Sequence, residues 1–190
     1  SDSVSGEGAF VLGDPLWLPS GGIVDGALQL DGVDDCVTTT TGINLADPEI
    51  SLGFSVLAWI NGGTPGQTII SQQVVSNWLV VDTEGKLMTE LKSAGRNSSG
   101  PLLSDAIIID GNWHRIGLVW DGSYRSLYMD GVEVAIDTRA LTQALIFSNG
   151  GLYIGAGKTL DEDTFFSGLI DDVRIYDVAL SVKEIEALAQ

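Results

Sequence analysis

Short apolar runs of four to eight residues recur along the chain between clusters of Gly, Asp and Asn, and in several of them apolar and polar side chains alternate. Alternation puts successive side chains on opposite faces of an extended strand, whereas an amphipathic helix repeats its apolar positions about every 3.6 residues. The pattern predicts a dozen or so strands: Ala9–Leu12, Ala27–Asp31, Cys36–Thr40, Phe54–Ile60, Thr68–Ser71, Trp78–Asp82, Lys86–Leu91, Ala106–Ile109, His114–Trp120, Ser126–Asp130, Val132–Ile136, Leu152–Gly155 and Leu169–Tyr176. Glu84-Gly85, Asp110-Gly111, Asp121-Gly122 and Asp130-Gly131 each supply a glycine for a tight turn, so the strands flanking each are expected to pair antiparallel. The clearest hairpin is Leu127–Val134, alternating on both sides of Asp130-Gly131. Only the last ten residues read as helix. Ser181 and Glu184 have capping-box spacing, Leu180 and Ile185 occupy the hydrophobic-staple positions, and Ile185 and Leu188 share a face that can close over a sheet.

Composition fits one all-β domain over residues 1–190, with 1–7 as a linker remnant. Hydrophobic residues make up 44% of the chain, enough for a core, and 24 glycines supply turns for many short strands. A formal charge of -17 repels phosphate backbones and anionic headgroups, which argues against nucleic acid as a partner. The same carboxylates favour a hard cation such as calcium. Cys36 is the single cysteine, so no intrachain disulfide forms, and a buried, slow-reacting thiol is expected. No apolar run is long enough for membrane insertion, and no basic-then-apolar leader opens the chain.

Ala27-Leu28-Gln29-Leu30-Asp31-Gly32-Val33-Asp34-Asp35, followed by Phe54–Ile60, resembles the opening of the laminin-G-like jelly-roll family. Asp110–Arg115, Val119–Gly122, Leu127–Gly131, Ile154-Gly155, Phe166–Tyr176 and Leu180–Ile185 resemble its later motifs in the same order, over about residues 25–188. The resemblance implies a two-sheet antiparallel sandwich of the concanavalin A-like lectin and glucanase type, related to pentraxins. It does not fix function, since that architecture hosts lectins, glycan-cleaving enzymes and protein-binding domains.

A glucanase needs two carboxylates flanking the glycosidic bond, in that branch an alternating Glu-x-Asp-x-Glu on one strand. No such triplet exists here, and Asp161-Glu162-Asp163 reads as a loop, so no catalytic residue is assigned. His114 stands alone, without a nucleophile or metal-ligand pattern, and is expected to bond a neighbouring strand or turn. Trp59, Trp113 and Trp120 are expected to fill the core, whereas Trp17 and Trp78 are candidates for the flat apolar platform that a sugar ring packs against. Asn97-Ser98-Ser99 matches an N-glycosylation acceptor. Asn77 and the loop Gly157–Asp163, with Asp161 and Asp163, resemble in position the places where pentraxins hold calcium for ligand binding. The chain has Ser76-Asn77 where they have Asp-Asn, and it lacks their early loop acids.

A structural calcium ion joining the chain's two ends is also expected from resemblance. The segment Ile170–Tyr176 is similar to the final strand of the glucanase branch, where the Asp matching Asp171 holds calcium, and Asp31-Gly32 is similar to that branch's carbonyl contributor. Asp171, the Gly32 carbonyl, Asp31 or Asp34 and an N-terminal carbonyl would supply oxygen ligands. This places Asp171 on the same side of its strand as an inward Val173 and Ile175. The function expected is a non-catalytic extracellular or cell-surface recognition module for a glycan or surface glycoconjugate within a larger secreted protein. Protein–protein adhesion, or a spacer domain without a small ligand, is the alternative.

Overall fold

The computed structural model describes residues 8–42, 53–91, 100–137 and 150–190. Asn97 and the first residues of the chain lie outside them. The strands are β1 (Ala9–Leu12), β2 (Leu16–Leu18), β3 (Ala27–Asp31), β4 (Cys36–Thr39), β5 (Phe54–Gly62), β6 (Thr68–Gln72), β7 (Ser76–Val81), β8 (Lys86–Thr89), β9 (Leu102–Ile107), β10 (His114–Trp120), β11 (Arg125–Met129), β12 (Val132–Ile136), β13 (Leu152–Ile154) and β14 (Ser167–Tyr176), and the helix α1 is Val182–Leu188. They form two seven-stranded antiparallel sheets, the first in the order β1-β4-β13-β6-β7-β8-β9 and the second β12-β11-β10-β5-β14-β3-β2.

The alternation read from the sequence builds the core. On β5, Phe54, Val56, Ala58 and Ile60 point between the sheets, where they meet Ile116, Leu118 and Trp120 from β10 and Trp78 from β7. The Phe54 ring lies 5.3 Å from that of Trp78 and 6.0 Å from that of Trp120, in tilted aromatic contacts. The intervening Leu57 faces outward and packs with Val119, Tyr128 and Ile185 of α1. Fully burying the Ile185 side chain contributes about 1.5–3 kcal/mol, which fixes the helix on the second sheet. The Ser181 N–H and hydroxyl both donate to Glu184 Oε2, at 2.8 and 2.7 Å. At the predicted hairpin, Asp130 and Gly131 both take positive φ, 51° and 83°, as a two-residue type I′ turn requires.

Several expectations are corrected. Asp110-Gly111 joins β9 of the first sheet to β10 of the second, so those strands do not pair. A tight turn fixes a reversal of the chain, not which sheet the next strand enters. Strand β2 was not predicted, because Pro15 and Pro19 flank its three residues. Trp113 is only half-buried and precedes β10. Trp59 is buried on the outer face of the second sheet, with the guanidinium of Arg115 5.8 Å from its ring centroid. Asp171 opposes Trp59 on that outer face, while Ile170 opposes Ile60 of the core; a bulge between Asp171 and Arg174, with Asp172 at φ 45°, resets the alternation. Asp171 therefore does not share the inward side of Val173.

Two buried arginines lock chain segments far apart in sequence. Arg115 Nη1 donates to the Asp172 carbonyl and carboxylate. Arg125 is fully buried and ion-pairs with Asp137; it also donates from Nη1 to the Leu91 carbonyl and from Nη2 to the Gly100 carbonyl, the latter at 3.0 Å. Among the described residues, no helix is long and apolar enough to cross a membrane.

Candidate functional site

The outer face of the first sheet carries a groove of about 380 Å³. Its floor follows from register: Thr68 on β6 opposes Val80 on β7, which opposes Met88 on β8, and the inward faces of β7 and β8 supply Trp78, Leu79, Val81 and Leu87 to the core. One wall is the loop 157–164, which is folded by its own bonds. The Gly157 N–H donates to Thr164 Oγ1 at 3.2 Å, that hydroxyl donates to the Asp161 carbonyl at 2.6 Å, and Thr159 Oγ1 donates to the Asp161 carboxylate at 2.6 Å.

Asn77 joins wall to floor. Its Oδ1 accepts the Lys158 N–H at 2.9 Å, its Nδ2 donates to Glu90 Oε2 at 2.9 Å, and Lys158 Nζ reaches the same oxygen at 3.3 Å. The structure thus places Asn77 and Asp161 in the lining of one groove. Asp163 sits in the exposed 3-10 turn Glu162–Thr164 and does not line the groove. Glu90 and Lys158 are essential to this geometry and were not singled out from sequence. The signal for Glu90 was its spacing two residues from Met88, which puts both on one face of an extended segment. Thr68 is 1% exposed, and its hydroxyl has no hydrogen-bond partner among the described residues. A buried hydroxyl left unpaired is costly, and here it lies beneath the groove surface and not on it.

The two candidate tryptophans separate. Trp78 is wholly buried beneath the groove, against Phe54, so it cannot present its ring to a sugar. A bulge between β6 and β7, where Leu79 opposes Ile70 and Asn77 opposes Ser71, leaves Trp78 as the extra residue, and its indole turns to the core face. Trp17 is 58% exposed on β2, at the opposite end of the sandwich. There it lines a separate apolar cleft of about 460 Å³ with Leu28, Val37, Ile154, Ile170 and Val173.

The expected metal quartet is not brought together. Asp31 opposes Ser167, and Asp171 lies four residues further along β14, roughly 13 Å away at ordinary strand rise. Asp171 Oδ2 accepts the Ile23 and Val24 N–H groups at 2.8 and 2.7 Å, so its burial is matched by two donated bonds. Gly32 packs against Ser167 and Gln67. The oxygens of Asp31, Asp34 and Asp35 instead approach within 4.8 Å of one another. Asp35 is buried and accepts the Asp14 N–H at 2.7 Å and the Asp31 N–H at 3.0 Å. Gly13, at φ 71°, lets the chain pass beside it, since a Cβ there would lie 2.3 Å from Asp35 Oδ1. Three carboxylates from one turn form an all-oxygen donor set that fits a hard divalent cation.

Neither His114 nor Cys36 faces the groove. The ring of His114 bonds Asp130 at 2.8 Å and Asp110 at 3.0 Å, both turn residues, as expected of a structural imidazole. Burial pulls its pKa down, but the bonds to Asp130 and then Asp110 outweigh this and hold it above the ordinary value. Cys36 is fully buried, and burial, with the nearby charges of Asp35 and Asp34, pushes its thiol up to about 11.

Solved structures of the same fold include domain 4 of AbnA, an extracellular arabinanase from Geobacillus stearothermophilus, in complex with arabinotriose. It is 20% identical, with a TM-score of 0.73 over 100% of this chain and 92% of that one. The binding domain of botulinum neurotoxin DC in complex with SialylT is 17% identical, with a TM-score of 0.73 over 96% of this chain. The binding domain of Paraclostridial Mosquitocidal Protein 1 is 14% identical, with a TM-score of 0.74 over 96%. This chain spans 46% and 47% of those two toxin domains. No curated protein sequence matches it significantly. The family described as the concanavalin A-like lectin/glucanases superfamily (Laminin_G_3) matches residues 31–186. With that match over most of the chain and the sandwich formed by its two sheets, the chain belongs to the laminin-G-like family of the concanavalin A-like lectins and glucanases.

Proposed function

We propose that the protein is a non-catalytic extracellular recognition module that binds carbohydrate in the groove on the first sheet. The observation that carries this is the preorganised wall: Asn77, Glu90 and Lys158 are bonded to one another, beside a loop that its own bonds hold at Asp161. Side chains already held in place lose little freedom on binding, and a set rich in carboxylates and hydroxyls matches the hydroxyl groups of a sugar. Relatives of this fold in complex with arabinotriose and SialylT support the ligand class. Asp161-Glu162-Asp163 has the place of a solvated turn, without the opposed carboxylate pair that glycoside cleavage needs. A glycan array with the isolated domain tests the reading. A saturable hit should weaken at least about tenfold in Asp161→Ala and Glu90→Ala variants that keep the wild-type unfolding midpoint. Silence across the array, or a hit indifferent to both substitutions, sinks it.

Adhesion to a protein is a second reading, favoured by the exposed apolar side chains of the edge strands β1 and β2, among them Phe10, Val11, Leu16 and Trp17. Binding of a protein partner that Trp17→Ser abolishes, with glycans inert, would select it.

A calcium ion, where bound, would be held by Asp31, Asp34 and Asp35, and it would supply charge neutralisation to a turn of three carboxylates beside Gly13 and Asp14.

A further inference from the structure

Resting on the groove as the glycan site, we infer that it selects uncharged saccharides and excludes those carrying sialic acid, uronic acid or sulfate. The charges on its walls carry this. Asp82, Glu90 and Asp161 line the groove, and among the described residues Lys158 is the one basic side chain in its lining. An adjoining depression of about 250 Å³ shares Asp82 and extends the same surface past Glu84, Lys86 and Asp105. Among the described residues these make five carboxylates against two ammonium groups, and both ammonium groups are already paired with carboxylates. Lys158 Nζ is 3.3 Å from Glu90, and Lys86 Nζ is 2.8 Å from Glu84 and 3.3 Å from Asp105.

Two of the groove's neutral donors are also turned to other partners. The Asn77 amide group donates to Glu90, and the Lys158 N–H donates to Asn77. An anionic sugar substituent needs arginine, an unpaired lysine or a cluster of open N–H groups, because its own oxygens only accept. Here it would meet acceptors of its own sign. The hydroxyls of an uncharged sugar donate, and the carboxylates of Glu90 and Asp161 accept from them more strongly than neutral acceptors would. Among the described residues the lining includes no aromatic side chain, so the sugar's apolar face has Val80 and Met88 to pack on, and polar contacts set the selectivity.

The test is calorimetric titration of the wild-type domain with matched pairs that differ by one acidic substituent: lactose and sialyllactose, linear xylotriose and its glucuronate-substituted form, and the asialo and sialylated oligosaccharides of one ganglioside. At about 20 mM NaCl the better-bound neutral member should exceed its acidic partner by at least about tenfold. Raising NaCl to about 500 mM should narrow that gap by screening while changing neutral affinity less than about twofold. In the Glu90→Gln/Asp161→Asn double variant, the neutral-to-acidic ratio should fall severalfold, whatever happens to the affinities themselves. An acidic member that binds as tightly as its neutral partner at low salt overturns the inference and leaves the groove as a glycan site. Silence from every pair overturns that reading, and the inference with it.

Discussion

At the scale of single residues, burial separates two tryptophans that the sequence presents alike. Trp78→Ala removes a fully buried indole packed on Phe54 and should cost about 3–5 kcal/mol in denaturant unfolding. Trp17→Ala should cost less than about 1 kcal/mol, since the ring is more than half exposed. Cys36 should react with a thiol reagent at pH 8 about a hundredfold more slowly in the folded protein than after denaturation, because its raised pKa leaves little thiolate and burial blocks access. A fast native reaction would contradict the fold around β4. Cys36, His114 and the core role of Trp120 were legible because each sits inside a patterned segment. Trp78, Trp59 and Glu90 were not, because the face a residue takes depends on where a strand starts and where bulges fall, and a shift of one residue reverses every face.

Among the elements, the turn before β10 and the turn between β11 and β12 are joined through one imidazole. Both ring nitrogens of His114 face carboxylates, so only the imidazolium can donate to both. Its pKa is raised above the ordinary 6.5. The stabilisation is therefore complete below that ordinary value and is lost as pH rises through the raised folded-state value. The unfolding midpoint should fall by about 2–4 °C across that window and should not fall there in His114→Asn. A second pair of substitutions separates the roles of two acidic positions. Asp171→Ala should destabilise by about 1–3 kcal/mol equally in calcium and in chelator, because it leaves the Ile23 and Val24 amides unpaired. Asp34→Asn should act through the ion, abolishing any rise of the midpoint with calcium. The hairpin at Asp130-Gly131 and the capping box of α1 were readable from local chemistry. The separation of Asp171 from Asp31 was not, because it follows from the register of β14 on β3, a long-range pairing that local sequence does not specify.

For the whole molecule, an excess of 17 negative charges opposes compaction, so salt should stabilise the fold. Raising NaCl from about 20 to 300 mM should lift the unfolding midpoint by a few degrees, and an unchanged or lower midpoint would show that the charges are already neutralised locally. The sandwich was legible as a class because apolar alternation and turn spacing recur along the chain. Its strand order was not, since neighbours such as β13 and β4, or β14 and β5, are distant in sequence. One such long-range tie works as a staple. The guanidinium of Arg125 grips the carbonyls of both Leu91 and Gly100 while pairing with Asp137, so a single buried cation clamps three separate points of the chain. In Arg125→Lys one ammonium cannot hold both carbonyls and Asp137 at once, so the domain should unfold several degrees lower and less cooperatively, with the surface around β11 loosening first.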